Sequence, residues 1–137
     1  SIGLDRMFLS VLTASFQEEN LQNDTKRLVL KIPAFLAPFQ AAVLPLVKKD
    51  GLEEKSNELY ENLRPFLNVT KDEKDAIGRR YRRQDAIGTP VCITIDHDTL
   101  KDNSVTFRLR DSMEQYRVDL NSVRDELLKL TNFANFL

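Results

Sequence analysis

The sequence predicts an α/β domain: a mixed five-stranded sheet flanked by about three helices, with one more helix ahead of it. Three observations predict this. A nearly continuous apolar run from Ala41 to Val47 has the pattern of a strand buried on both faces. Apolar residues at helical spacing follow it, then a second short strand signal. From Val91 onward the period switches to two. A strand–helix–strand unit implies parallel pairing through a crossover, whereas closely spaced later strands imply antiparallel pairing. A mixed sheet with helices packed on it satisfies both.

The elements follow in chain order. Leu4, Phe8, Val11 and Leu12 recur at helical spacing, which predicts a helix from Ile2 to about Gln17. The polar stretch Gln17 to Lys26 reads as a surface loop or linker. Leu28 to Ile32, closed by Pro33 and Pro38, reads as a connector, because proline blocks regular pairing. In the run from Ala41, Pro45 favours a strand end or bulge. Asp50 with Glu53 is the pattern of a capping box, and Leu52, Ser56, Leu59, Leu63 and Phe66 mark the inner side of the helix it opens. Leu67 to Thr70 is a candidate strand, and Asp72 to Gln84 a charged helical stretch broken by Gly78. Val91/Ile93/Ile95, Val105/Phe107/Leu109 and Tyr116/Val118/Leu120 alternate with polar residues as three strands, with a turn at Asp102-Asn103-Ser104. Asn121 or Ser122 caps a final helix with Val123, Leu127, Leu130 and Ala134 on one face.

Composition narrows the function. With 42% hydrophobic and 30% charged residues the chain has the balance of a soluble globular protein, and no stretch approaches the ~20 apolar residues of a membrane helix. No secretory signal opens it, and a start at Ser1 reads as a piece of something longer or a processed product. One cysteine, Cys92, permits no internal disulfide and fits a reducing compartment. One His and one Cys cannot build a Cys/His zinc site. A net charge of −1 means that any RNA binding must come from a local basic patch.

The densest such patch is Ile77-Gly78-Arg79-Arg80-Tyr81-Arg82-Arg83-Gln84-Asp85. Guanidinium forks suit phosphates, a tyrosine ring can stack on an unpaired base, and Gly78 allows close backbone approach. A solvated face paired with Asp72, Glu73, Asp75 and Asp85 stands beside that reading. Successive arginines on a helix also point different ways, so not all four can reach one ligand. Arg108 and Arg110 share a strand face opposite Val105, Phe107 and Leu109. That face is either a basic platform for single-stranded RNA or, as residue types alone prefer, a solvent-facing strand. His97, between Asp96 and Asp98, reads as a surface histidine in a turn, and Cys92 as a packing residue. No Ser/His/Asp order, phosphate loop or dinucleotide fingerprint occurs.

Several of these segments together resemble one family. Ala42-Val43-Leu44-Pro45-Leu46-Val47-Lys48-Lys49 is similar to the strand that opens the anticodon-binding domain of glycyl-tRNA synthetases. Ile77 to Asp85 with Ile87-Gly88-Thr89-Pro90, Thr94 to Leu100, and Arg110 to Gln115 continue the likeness in order. Ser1-Ile2-Gly3-Leu4-Asp5-Arg6 resembles the last signature motif of the class II catalytic domain.

The resemblance implies a class II enzyme that joins glycine to its tRNA with ATP and Mg2+, as a homodimer in the cytoplasm. Residues 1–25 would end the catalytic domain and 26–137 would form the anticodon-binding domain. Gly3, Leu4, Asp5 and Arg6 would belong to the ATP site, with Arg6 the contact to ATP, and Ser1 and Gly3 would border the glycine pocket. The remaining signature motifs are absent, so this chain is expected to bind tRNA(Gly) without catalysing, and to carry no cofactor. The implied tRNA contacts are Arg79, Arg80, Tyr81, Arg82, Arg83, Asp85, Thr89, Arg108 and Arg110. Asp85 would orient an arginine or accept from a cytosine amino group. No DNA or membrane partner is expected. Two alternatives stay open: a non-catalytic module of the polymerase accessory-subunit type, and a dimerisation domain whose arginines serve only ion pairs.

Overall fold

The computed structural model describes residues 16–20 and 26–131. The predicted first helix up to residue 15, the residues Ser1, Gly3, Leu4, Asp5 and Arg6, and Ala134 of the predicted last helix lie outside that range, and Phe16 and Gln17, expected to end the first helix, belong to a strand. The domain is the expected mixed sheet. Strands β3 (Ala41–Pro45), β4 (Val69–Lys71), β5 (Val91–Ile95), β6 (Ser104–Leu109) and β7 (Gln115–Asp119) lie in the order β4-β3-β5-β6-β7. β3 runs parallel to β4 and β5, and β5-β6-β7 is antiparallel. The helices are α1 (Leu52–Leu63), α2 (Ile77–Ile87), α3 (His97–Asp102) and α4 (Val123–Thr131).

Strand alternation sorts the two faces. Ala41, Val43, Val91, Ile93, Val105 and Phe107 point to one side, where Leu52, Leu59 and Leu63 of α1 and Val123 and Leu127 of α4 close the main core. Each fully buried leucine there contributes about 1.5–3 kcal/mol. Ala42, Leu44 and Cys92 point to the other side, against Ile77 and Tyr81 of α2. Every residue of β3 and β5 is buried, as a strand covered on both faces requires. Pro45 ends its strand, where its missing N–H costs no ladder bond.

Several local expectations are corrected. Gln17 to Lys26 is not a plain loop, nor is Leu28 to Ile32 only a connector: β1 (Phe16–Asn20) and β2 (Lys26–Leu30) pair as an antiparallel hairpin. Its inward side carries Arg27 and Val29, both buried, and β2 packs against α2. Asp50 does not cap α1. It has a positive φ of 62°, the next residue, Gly51, holds the cap position, and no side chain bonds there. Phe66 lies beyond the end of α1 and is exposed, with the Arg124 guanidinium over its ring. The charged helix begins at Ile77 rather than Asp72. The link between β5 and β6 is α3, capped by Asp96, whose carboxylate accepts from the Thr99 N–H while its own N–H donates to Thr99 Oγ1. His97 opens that short helix at the surface, within 3.0 Å of the Asp50 carboxylate. Before α4 the capping side chain is Asp119, which accepts from Asn121 N–H at the 3-10 turn Leu120–Ser122.

Candidate nucleic-acid interface

Helix α2 carries the arginine cluster, and its geometry divides that cluster in two. Positions 79, 82 and 83 are spaced i, i+3, i+4 and share one side, whereas 80, 84 and 85 share the opposite one. The second set is buried: Arg80, Gln84 and Asp85 face the sheet. Arg79 and Arg82 are exposed, and Arg83 is partly so.

Arg80 is spent on the backbone. Its guanidinium donates to the carbonyls of Pro45 at 2.5 Å, Leu46 at 3.1 Å and Asp72 at 3.2 Å, tying α2 to the C-terminal end of β3. Burial pulls its pKa down, against the pull of Asp72. Arg83 is held outside the core by both oxygens of Asp72, each at 2.6 Å, and by Asp75 at 2.6 Å. The Asp72 bond raises the pKa of Arg83.

Tyr81 is half-buried. One ring face already carries the Arg108 guanidinium, 4.7 Å from the centroid, and the hydroxyl meets Thr94 Oγ1. Burial pushes that hydroxyl up in pKa, against the bond to Thr94. Arg108 does not lie on a solvent-facing strand: α2 covers that side of β6, and the residue is 3% exposed. It grips Asp85 with both terminal nitrogens. Arg110 is buried too, donating to the Gly88 carbonyl at 2.8 Å and to Asp111. Thr89 is buried with its hydroxyl donating to Gln84 Oε1 at 2.7 Å. The open basic strand face expected for Arg108 and Arg110 is therefore corrected. Alternation places polar residues on one face but does not reveal what covers it.

Arg27 is the residue that sequence reasoning missed. It is buried, donates to Asp85 at 3.1 Å and to the Arg110 carbonyl at 2.7 Å, and pairs with Glu19. The sequence signal was slight: a cation just ahead of the apolar run Leu28-Val29-Leu30, next to Lys26. The Ile87-Gly88-Thr89-Pro90 segment closes α2: Gly88 has φ +86°, and a Cβ there would meet Ile32 and Leu30 at 3.1 Å. Among the described residues no group of three or more His, Cys, Asp or Glu is placed to hold a metal ion, and no helix is long and apolar enough to cross a membrane.

The part of the arginine cluster open to solvent is thus a stripe on α2 formed by Arg79 and Arg82, with the partly exposed Arg83 beside them. Guanidinium groups on such a stripe can bind phosphates or stack on bases.

Comparison with known proteins shows the family and the fold. The chain is 52% identical, over 94% of its length, to a glycine–tRNA ligase of Clostridium tetani, and spans 27% of that enzyme. It is 49% identical, over 90% of its length, to the glycine–tRNA ligase of Mesoplasma florum, again spanning 27%. The chain thus spans about a quarter of the relatives it matches. Its fold is like that of the RNA binding domain of threonyl-tRNA synthetase from Cryptosporidium parvum, with a TM-score of 0.65 at 23% identity, covering 73% of this chain and 25% of that one. It is also like prolyl-tRNA synthetase from the same organism, with a TM-score of 0.68 at 22% identity, covering 76% and 22%. A family model described as the anticodon binding domain matches residues 40–130, from the first residue before β3 to the last turn of α4, and the chain belongs to that family.

Proposed function

We propose that the chain is the anticodon-binding part of a class II glycine–tRNA ligase and grips the anticodon arm of tRNA(Gly) with the outward side of α2. The observation that carries this is the division of the arginine cluster: Arg79 and Arg82 face solvent while Arg80 anchors the helix that presents them. In this reading Arg79 and Arg82 contact phosphates, with Arg83 adjoining them, while Tyr81 packs on the sheet side of the helix. Asp85, Thr89, Arg108 and Arg110 act beneath, fixing where the helix sits. In this reading Asp85 acts in the first of its two expected roles, orienting arginines.

The parent enzyme would use ATP and Mg2+ to activate glycine, act as a homodimer and work in the cytoplasm. Residues ahead of the β1–β2 hairpin would complete its catalytic domain, with Arg6 at ATP and Ser1 and Gly3 at the glycine pocket; the expected boundary after residue 25 falls inside that hairpin. This chain supplies the RNA grip and no complete catalytic set. A salt titration with tRNA(Gly) and with a tRNA of different anticodon tests the proposal. Tighter binding to tRNA(Gly) that weakens with salt is expected; equal binding to both would reduce the stripe to a nonspecific charge.

A further inference from the structure

Asp85 is a shared carboxylate. Arg108 binds both its oxygens, at 2.9 and 3.1 Å, and Arg27 donates to Oδ2 at 3.1 Å. Arg82, one turn earlier on α2, approaches only to 3.7 Å, outside hydrogen-bond range, and keeps 44% of its side chain exposed. Among the described residues none accepts a hydrogen bond from its guanidinium. The charges around the cluster explain this. Glu19 accepts from Arg27 Nε at 2.8 Å and pairs with Lys31 at 2.7 Å. The buried cations Arg27 and Arg108 are therefore matched by Asp85 and Glu19, and the surplus positive charge falls on the more exposed Lys31 and Arg82.

We infer that Arg27, which precedes the span matched by the anticodon-domain model, is a positioning residue for RNA binding: by occupying Asp85 it keeps Arg82 in a loose 3.7 Å pair with that carboxylate, 44% exposed and open to an RNA phosphate. The inference rests on the reading of α2 given above. Without Arg27, Asp85 Oδ2 loses a donor and Arg82 is the nearest cation able to replace it. Attraction to a buried carboxylate exceeds that to a hydrated phosphate, so Arg82 folds inward and its phosphate contact is lost.

The test is a salt titration of the chain with a hairpin RNA carrying the anticodon stem and loop of tRNA(Gly), using Arg27→Met, Arg82→Ala and the double variant. Each single variant is expected to bind about fivefold more weakly at low salt and to flatten the dependence of log K on log salt by about one. The double variant should be no weaker than either. Unchanged binding by Arg82→Ala overturns the reading of α2 itself, and this inference with it. Weakened binding by Arg82→Ala with normal binding by Arg27→Met, or losses that add in the double variant, overturns the positioning role and leaves the reading of α2 standing. If Arg27→Met does not fold, Arg27→Gln removes the charge but keeps a polar side chain there: a salt slope flattened by about one supports the role, and a wild-type slope overturns it.

Discussion

Arg108 holds Asp85 by both carboxylate oxygens, at 2.9 and 3.1 Å, and the two side chains are 3% and 0% exposed. This pair joins α2 to β6 through the interior of the domain. Removing one partner of a buried pair leaves an uncompensated charge, which costs about 3–5 kcal/mol. Asp85→Ala is therefore expected to lower unfolding free energy by about that much in urea titration. A loss under about 1 kcal/mol would contradict the assignment.

Neighbouring arginines on α2 should behave oppositely. Arg79→Ala is expected to leave stability within about 0.5 kcal/mol while flattening the salt dependence of RNA binding by about one. Arg80→Ala strips the hydrogen bonds from three carbonyls and should cost about 2–4 kcal/mol of stability. Its salt slope, measured where the variant is folded, should match that of the parent chain. Thermal unfolding and RNA titration on both variants separate the two roles.

Gly88→Ala should destabilise the fold by about 1–3 kcal/mol. Its φ of +86° disfavours any side chain, and the added Cβ would crowd Ile32 Cγ2, Leu30 Cδ2 and the Leu30 carbonyl. A melting temperature equal to that of the parent chain would contradict this.

Burial pushes the Cys92 thiol up to about 12, only partly opposed by Arg108. A group whose folded pKa exceeds its unfolded value stabilises fully below the unfolded pKa, about 8.5 for a thiol, and loses that contribution as pH rises toward the folded value. Stability should fall between about pH 9 and 12 with a contribution of up to about 1.4 kcal/mol per pH unit that is missing in Cys92→Ala. At pH 8 the native thiol should resist iodoacetamide that labels it in urea. Rapid native labelling would place the thiol in contact with solvent.

The bond from Lys31, then that from Arg27, holds the Glu19 carboxyl below its usual range despite some opposing burial. For a lowered pKa the stabilisation is present above the unfolded value, about 4.5, and is lost as pH falls through the folded one. Hydrogen exchange in β1 and β2, corrected for intrinsic rate, should accelerate below about pH 4.5 ahead of exchange in β3 and β5. Simultaneous acceleration in all four strands would show that Glu19 does not anchor the hairpin.

The sheet was readable in the sequence because burial enforces a period. Val91, Ile93, Val105 and Phe107 alternate, and they lie on one face. The hairpin was not, because β1 reads Phe-Gln-Glu-Glu-Asn, with little apolar signal; Arg27 meeting a distant carboxylate helps to hold its partner strand. The arginine cluster was half readable. Helical spacing already separates Arg80 from Arg79 and Arg82, but only the fold tells which side faces the sheet. Arg108 misled because a polar side chain on an alternating strand ordinarily marks solvent, whereas here a helix with polar buried residues covers it.

That polar underside also governs mechanics. A helix resting on leucines can slide or roll by fractions of an ångström at little cost, since dispersion contacts are interchangeable. The underside of α2 is keyed instead: Arg80 fits three particular carbonyls, and Asp85 fits two particular guanidinium groups. A shift of one helical turn would break all of these together. The outer arginines therefore spring from a backbone held at a fixed pitch, like the teeth of a gauge, and a strand of phosphates gripped as proposed would have to conform to it.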